Sequence, residues 1–230
     1  MSNVSVTNSS NIVIISDSFQ GQKRMQNQDD ILILHRDNFC LLLLFDGVSS
    51  LNESINFIQG CKDFVYRNYN DYFDNEIKLS QLIYDMHVNS LNSKFNGKTT
   101  CSCLLLHFIL NKAFWVNIGD SRIYAFSPSY LEMQTKDDNY NTYFLSKYIG
   151  MPDLSIDDVV QNEIDISQNF LICTDGFYKL MENNLRSYFN IFQYKRGINI
   201  KKAIKREQKD KNNDDSTYII VKWDSNQNKN

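Results

Sequence analysis

Two uninterrupted apolar runs dominate the hydrophobic pattern of the chain. The first covers residues 39–45 and leads directly into Asp46-Gly47, and the second covers residues 170–173 and leads through a threonine into Asp175-Gly176. Continuous apolar runs of this kind predict strands that are buried on both faces. Each strand is therefore expected to deliver a carboxylate, followed by a glycine that lets another group approach closely, to the end of a sheet.

Shorter apolar or alternating segments predict the remaining strands, and turn-forming pairs separate several of them. Asp37-Asn38 and Asn111-Lys112 are typical of tight hairpin turns. The predicted strands cover residues 11–17, 31–36, 99–110, 113–118, 123–126, 131–135 and 217–223. Residues 136–168 are polar and give no clear pattern.

Helical spacing of apolar residues begins after Ser50 and predicts two amphipathic helices, at residues 52–74 and 77–95. Further helical segments are predicted from Phe177 onward, around residues 185–192, and at 200–208, where a basic helix is interpreted as having a solvent-exposed face. Hairpins rather than helical crossovers join most strands. The sequence therefore predicts an α+β fold with antiparallel sheets and helices on their outer faces.

Composition is that of one ordinary globular domain. The chain has 230 residues, of which 42% are hydrophobic and 22% charged, with a net charge of -3. We expect a single domain over residues 12–223, with disordered segments at 1–11 and 224–230. The charge predicts no nucleic-acid partner, and no apolar run approaches the ~18 residues that a membrane span needs. Five cysteines, mostly in apolar runs, and no signal peptide predict a reduced, cytoplasmic protein.

Acidic residues adjoin several of the predicted strands: Asp29, Asp46, Asp175 and Asp214. A single Asp-Gly pair is commonly a plain turn, but two such pairs after buried strands favour a site. The three histidines are scattered and are interpreted as surface residues, so the candidate ligands are all oxygens. Oxygen ligands without imidazole or thiolate favour Mg²⁺ or Mn²⁺ over zinc, and two such ions could activate water toward a phosphoryl group.

An ordered set of short motifs resembles the metal-dependent 2C-type (PPM) serine/threonine protein phosphatases over residues 12–223. The Gly-Asp-Ser-Arg block is the most specific of them. In chain order they are Arg24-x-x-Asn27-Gln28-Asp29, Asp46-Gly47, Thr99-Thr100, Asn117-Ile118-Gly119-Asp120-Ser121-Arg122, Thr174-Asp175-Gly176 and Asp214-Asp215-Ser216-Thr217. The resemblance implies a sandwich of two antiparallel sheets flanked by helices, with a two-metal centre.

The resemblance also implies a role for each candidate site residue. Asp46 would bridge two Mg²⁺ or Mn²⁺ ions, and the carbonyl of Gly47 would bind one of them. Arg24 would bind the substrate phosphate, and a metal-bridging hydroxide would attack phosphoserine or phosphothreonine. Asp175 and Asp214 would complete the first metal site, and Gln28 stands at the second. Asp29 would hold a metal-bound water, and Asp120 falls at a weaker third-metal position.

The chain departs from the family pattern at several positions. Gln28 is neutral where the family often has Glu, and Val48-Ser49-Ser50 stands where glycines are usual. Asp215 replaces the usual Asn, and Lys179 replaces an Asp that many members place at the third metal. Two interpretations of Lys179 are open: it reaches toward Asp120 and replaces the third cation, or it simply points into solvent.

These observations predict a bacterial-type phosphoprotein phosphatase that opposes a serine/threonine kinase and acts as a monomer. An inactive pseudophosphatase, which would use the same fold as a binding or regulatory module, is the main alternative. A metallo-hydrolase for small phosphate esters is the third.

Overall fold

The computed structural model describes residues 4–6, 12–73, 76–141 and 144–223. The strands are β1 (Val4–Val6), β2 (Ile12–Phe19), β3 (Asp29–His35), β4 (Phe39–Asp46), β5 (Cys101–His107), β6 (Lys112–Ile118), β7 (Arg122–Phe126), β8 (Leu131–Met133), β9 (Asn139–Asn141), β10 (Phe144–Leu145), β11 (Asn162–Ile164), β12 (Asn169–Cys173) and β13 (Ser216–Trp223). The helices are α1 (Ser54–Asn68), α2 (Leu79–Ser90), α3 (Asp175–Asn183), α4 (Leu185–Phe192) and α5 (Gly197–Gln208), with 3-10 turns at Tyr69–Tyr72 and Ile156–Asp158.

The described residues divide into two compact units. The first comprises the described parts of Met1–Asn27, Arg122–Thr135 and Ser167–Asn230, and the second comprises those of Gln28–Ser121 and Lys136–Ile166. Each unit has its own antiparallel sheet. The expected α+β class with two antiparallel sheets is therefore confirmed, while a single domain over residues 12–223 stays a prediction.

In the first unit, the six-stranded sheet has the order β1-β2-β13-β12-β7-β8. The helices α3, α4 and α5 belong to the same unit and contribute Phe177, Tyr188 and Ile204 to a buried core with Leu171 and Tyr218 of the central strands. Because β12 is hydrogen-bonded on both sides, by β13 and β7, its end is held firmly where Asp175 follows.

In the second unit, the five-stranded sheet has the order β11-β6-β5-β4-β3. The residues of β4 between Phe39 and Phe45 are all buried, as expected for a strand with covered faces. The helices α1 and α2 contribute Phe57, Ile58 and Leu82 to the core of this unit. Both buried strands predicted from the apolar runs are thus present, at residues 39–46 and 169–173.

Four parts of the sequence interpretation require correction. Val4–Val6, in the segment predicted to be disordered, pairs with the edge of β2, and the rest of that segment and residues 224–230 lie outside the described residues. The two helices predicted at 52–74 and 77–95 end earlier than expected, at Asn68 and Ser90. Apolar residues beyond these ends, such as Tyr72 and Phe95, pack against the core from outside the α-helices. The unassigned residues 136–168 include the short strands β9, β10 and β11. The helix α5 has the expected exposed basic face, with Lys202, Lys205 and Arg206 exposed, but Lys201 is buried and lies 3.3 Å from the Asp17 carboxylate.

None of the described helices is long and apolar enough to cross a bilayer. All five cysteines are buried free thiols, and burial raises the pKa of Cys40 and Cys61 to about 12. These thiols therefore behave as small core side chains rather than as nucleophiles.

Gly176 packs too closely for any side chain. A Cβ at this position would lie 2.0 Å from the carbonyl oxygen of Asp215, whereas a Cβ at Gly60, in α1, would meet nothing within 4 Å. We expect Gly176→Ala to lower the free energy of unfolding by about 3 kcal/mol through overpacking. Gly60→Ala should raise it by about 0.5–1 kcal/mol, because alanine favours helix. Urea denaturation of both variants measures the difference, and equal effects would contradict the packing described at Gly176.

Candidate functional site

The hairpin of β3 and β4 brings two carboxylate-bearing residues into register. Asp29 and Asp46 are direct partners across the two antiparallel strands, and Asp29 is buried. Like charges placed directly opposite each other destabilise a sheet, so this pairing favours a cation nearby. The two residues therefore occupy positions from which both could bind one ion.

Backbone contacts fix the end of β4. The amide of Gly47 donates to the carbonyl of Gln28 over 3.2 Å, and a Cβ at residue 47 would lie 2.6 Å from that oxygen. Gln28 itself is buried. The glycine is thus required for the close approach of the two chain segments, which keeps Gln28 beside the Asp46-Gly47 turn.

Two threonines of the predicted motif set hold the backbone of Asp46. The Thr100 amide donates to the Asp46 carbonyl over 2.9 Å, and the Thr99 hydroxyl donates to the same oxygen over 2.9 Å. The Asp46 amide donates to Thr100 Oγ1 over 3.2 Å. With its main chain held on both sides, Asp46 has a defined position before any ligand arrives.

The Gly119-Asp120-Ser121 kink is held in the same unit. Gly119 has φ of 105°, which favours glycine, and a Cβ there would lie 2.6 Å from Thr100 Cγ2. Ser121 is buried and shares a 2.8 Å hydrogen bond with the Thr100 hydroxyl. The kink that presents Asp120 is therefore fixed to the threonine pair that holds Asp46.

Asp138 supports the same kink, although the sequence interpretation missed it. Its Oδ2 accepts a hydrogen bond from the Gly119 amide over 3.0 Å, and its own amide donates to the Gly119 carbonyl over 3.0 Å. Burial raises the pKa of the Asp138 carboxyl group above its usual value. Asp138 lies in residues 136–168, which gave no clear pattern. The only sequence feature that could have indicated it is the pair of adjacent acidic residues at 137 and 138.

In the first unit, Asp175 and Asp214 lie on neighbouring segments. Asp175 begins α3, and the side-chain Cβ of Asp214 comes within 3.3 Å of the Cβ position that Gly176 lacks. Asp215 is buried, and its Oδ1 accepts a hydrogen bond from the Gly21 amide over 2.9 Å. Asp215 thus anchors the loop that leads to Arg24, a role that the motif comparison did not indicate.

Arg24 and Asp214 form an ion pair. The Nη2 and Nε atoms of Arg24 lie 2.5 and 2.6 Å from Asp214 Oδ1, and the Asp215 amide donates to the same oxygen over 2.8 Å. These contacts all converge on Oδ1 of Asp214. The expected phosphate-binding role of Arg24 stays a prediction.

Lys179 forms an ion pair with Asp175 across one helical turn. Its ammonium lies 2.5 Å from Asp175 Oδ2. The lysine side chain is 57% exposed and the aspartate side chain only 18% exposed. Asp175 is therefore a direct partner of Lys179. The expected contact between Lys179 and Asp120 stays a prediction.

The histidines take no part in these acidic positions, but the surface interpretation is wrong for two of them. His87 is buried, its Nδ1 accepts a hydrogen bond from the Gly150 amide over 3.2 Å, and burial lowers its pKa. His107 is buried as well, and its Nδ1 accepts a hydrogen bond from the Leu110 amide over 3.1 Å. Both imidazoles serve the local fold.

The chemistry of the candidate ligands fits a hard divalent cation. Each unit presents carboxylates at a strand end, whereas the cysteine thiols are buried in the core and His87 and His107 accept backbone hydrogen bonds. Among the described residues, no three His, Cys, Asp or Glu side chains are already arranged to hold an ion. Instead, Arg24 and Lys179 supply positive charge to two of the four carboxylates.

Comparison with solved structures identifies the fold. RsbX in complex with magnesium matches with a TM-score of 0.71 and 19% identity, over 96% of this chain and 98% of the RsbX chain. The PPM Ser-Thr phosphatase MsPP from Mycobacterium smegmatis, in complex with cacodylate, matches with a TM-score of 0.69 and 15% identity over 90% of this chain and 97% of its own. The chain has the fold of the bacterial PPM phosphatases.

The catalytic domain of the serine/threonine phosphatase PstP in complex with two manganese ions has the same fold. It matches with a TM-score of 0.68 and 17% identity over 91% of this chain and 97% of its own. No family model matches the sequence, and no curated protein matches it. At these identities the likeness establishes the PPM fold and leaves the activity to be argued from the site.

The raised pKa of Asp138 gives a pH-dependent prediction for metal-free protein. When the pKa of a carboxyl group is raised in the folded state, the free energy of unfolding of the protein falls as pH rises from about 4 through that pKa. The reason is that burial disfavours the charged form of the group. Asp138→Asn keeps an acceptor for the Gly119 amide and removes this loss. We expect it to match the wild type near pH 4 and to be the more stable protein at pH 7.

Asp138→Ala provides the contrast, since it also removes the hydrogen bond to Gly119. Its free energy of unfolding should lie about 1–2 kcal/mol below that of the wild type near pH 4, and the difference should be smaller at pH 7, because Asp138→Ala also removes the loss caused by burial of the charge. Chemical denaturation at pH 4 and pH 7 in chelator measures both variants. An Asn variant that is as unstable as the Ala variant at pH 7 would contradict the account.

Proposed function

We propose that the chain is a Mg²⁺- or Mn²⁺-dependent phosphoprotein phosphatase that hydrolyses phosphoserine and phosphothreonine. The observation that carries this proposal is the register of Asp29 opposite Asp46 at the end of a buried hairpin. Two opposed carboxylates beside an immobilised Gly47 form an arrangement that a divalent cation would stabilise. The fold shared with the PPM phosphatases supports the same reading.

We further propose that two ions are held by the residues that the resemblance implies. These residues are Asp46, Gly47, Asp175, Asp214, Asp29 and Gln28, with Asp120 at a weaker position. When bound, the ions would supply a nucleophilic hydroxide and neutralise the phosphoryl oxygens. The chain contributes a fixed geometry, because Thr99 and Thr100 hold the Asp46 backbone before binding.

Arg24 is the proposed phosphate-binding residue. A guanidinium group has five N–H donors, and two of its nitrogens contact Asp214 Oδ1. Since the pair holds the planar group in place, Arg24 could bind phosphate oxygens with little loss of side-chain entropy. The Asp214 pair thus orients Arg24 for an anion.

A pseudophosphatase is the second candidate, and one observation favours it. Asp175 and Asp214 already have positive partners in Lys179 and Arg24, so the fold tolerates these carboxylates without an added ion. A hydrolase for small phosphate esters is the third candidate. As an active phosphatase, the chain would act in the cytoplasm as a monomer that opposes a serine/threonine kinase.

Phosphate release with and without Mn²⁺ tests the proposal. We expect Mn²⁺-dependent hydrolysis of a phosphoserine or phosphothreonine peptide, and Asp46→Asn should reduce the rate about 100-fold or more by removing metal-binding charge. Asp30→Asn is the matched control: Asp30 neighbours Asp29 on β3 but forms an ion pair with Lys62.

The substrates separate the three candidates. Hydrolysis of p-nitrophenyl phosphate without hydrolysis of any phosphopeptide would favour the small-ester enzyme. Absence of hydrolysis of both substrates would contradict the proposed phosphatase and favour the pseudophosphatase. Hydrolysis that does not depend on Mn²⁺ would contradict the proposed metal dependence. A loss of rate in Asp30→Asn equal to that in Asp46→Asn would remove the special role of Asp46.

A second prediction concerns phosphate binding by Arg24. Loss of a charge-assisted contact costs about 1.5–3 kcal/mol, so Arg24→Ala should raise KM roughly tenfold or more. Arg24→Lys keeps the charge but loses the planar fork, and should give an intermediate KM. Steady-state kinetics at saturating Mn²⁺ measures both variants, and an unchanged KM in Arg24→Ala would exclude Arg24 from the site.

A further inference from the structure

Lys179 lies where it neutralises a candidate metal ligand. Its ammonium is 2.5 Å from Asp175 Oδ2, and the two residues are four apart on α3. Residues at this spacing share a helical face, so the contact needs no distortion of the helix. Asp175 is therefore paired with a cation that belongs to the chain itself.

The two partners differ in exposure, and the difference indicates how the pair would respond to an ion. Asp175 is mostly buried, at 18% exposed, and begins a helix, where a negative charge is favoured. The lysine side chain is 57% exposed on a flexible stem. Moving the ammonium into water costs little, whereas moving Asp175 would disrupt the end of β12 and the close contact at Gly176.

We propose that Lys179 is a displaceable counter-ion: it occupies the Asp175 carboxylate until a divalent cation replaces it, and thereby lowers the affinity of the site for metal. The inference rests on the proposed function, because it takes Asp175 as a metal ligand. Lys179 is a positioning residue in this account, since it acts on the ion through Asp175.

Electrostatics sets the expected size and salt dependence of the effect. An incoming ion must break the lysine–aspartate pair and then experiences repulsion from the ammonium, which stays tethered nearby. Removal of the charge should therefore tighten Mn²⁺ binding about three- to tenfold at low salt. Because Lys179 is exposed, the difference should shrink as ionic strength rises from about 0.01 to 0.5 M.

Calorimetric titration of the full chain with Mn²⁺ tests the proposal without any measurement of activity. Lys179→Gln should bind Mn²⁺ about three- to tenfold more tightly than the wild type, and Lys179→Arg, which keeps the charge, should remain close to the wild type. Lys112→Gln is the control for net charge. Lys112 forms an exposed ion pair with Glu163 at the start of β6, at the end opposite to the Asp120 kink.

Each outcome decides the inference. Tighter binding confined to Lys179→Gln and reduced by salt supports it. Equal affinities in Lys179→Gln and the wild type would overturn it and leave the phosphatase proposal standing. An equal gain in Mn²⁺ affinity in Lys112→Gln would show that net charge alone explains the effect, and would also overturn the inference. If the wild type binds no Mn²⁺ at all, the inference and the proposed function both fail.

Discussion

The need to compensate carboxylates at the ends of buried strands governs this structure. A buried strand can present a charged residue at its end only where the charge is paired, hydrogen-bonded or bound to metal. Asp46 is the last residue of β4, and Asp175 follows two residues after the end of β12. For Asp175 the chain supplies Lys179, and for its neighbour Asp214 it supplies Arg24. Asp29 and Asp46, opposed across the hairpin, are the residues proposed to bind a divalent ion.

Close backbone packing keeps these charges in place. Gly47, Gly119 and Gly176 lie where a single added carbon would meet another segment at 2.6 Å or less. The segments they meet include Gln28, Thr100 and Asp215, which adjoin or support the candidate ligands. The glycines therefore connect the packing of each unit to the position of its carboxylates. Preorganisation of this kind reduces the free energy needed to arrange ligands when an ion binds.

Much of this arrangement could be predicted from local pattern. The apolar runs before Asp46 and Asp175 identify buried strands because an antiparallel strand covered on both faces has no polar alternation. The ordered short motifs identify the fold, which solved structures confirm at below 20% identity. Helix ends were harder, since Phe95 packs on the core from a turn and extends the apolar pattern beyond Ser90.

Other features depend on contacts between residues far apart in the sequence. The hydrogen bond from the Gly119 amide to Asp138 joins residues 19 positions apart, and no repeat or spacing marks Asp138. The Arg24–Asp214 pair spans most of the chain. Tertiary packing determines these two contacts. The Lys179–Asp175 pair is local by contrast: the residues lie one turn apart on α3, so helical spacing could have indicated it.

Cations of the chain and divalent ions are proposed to share the same carboxylates, and diffraction from crystals grown with Mn²⁺ tests this most directly. Anomalous difference maps should show Mn²⁺ peaks within about 2–2.5 Å of carboxylate oxygens of Asp46 and Asp175. The Lys179 ammonium should no longer contact Asp175 Oδ2. Maps without a peak at either residue, with the Lys179–Asp175 pair intact at saturating Mn²⁺, would contradict the account.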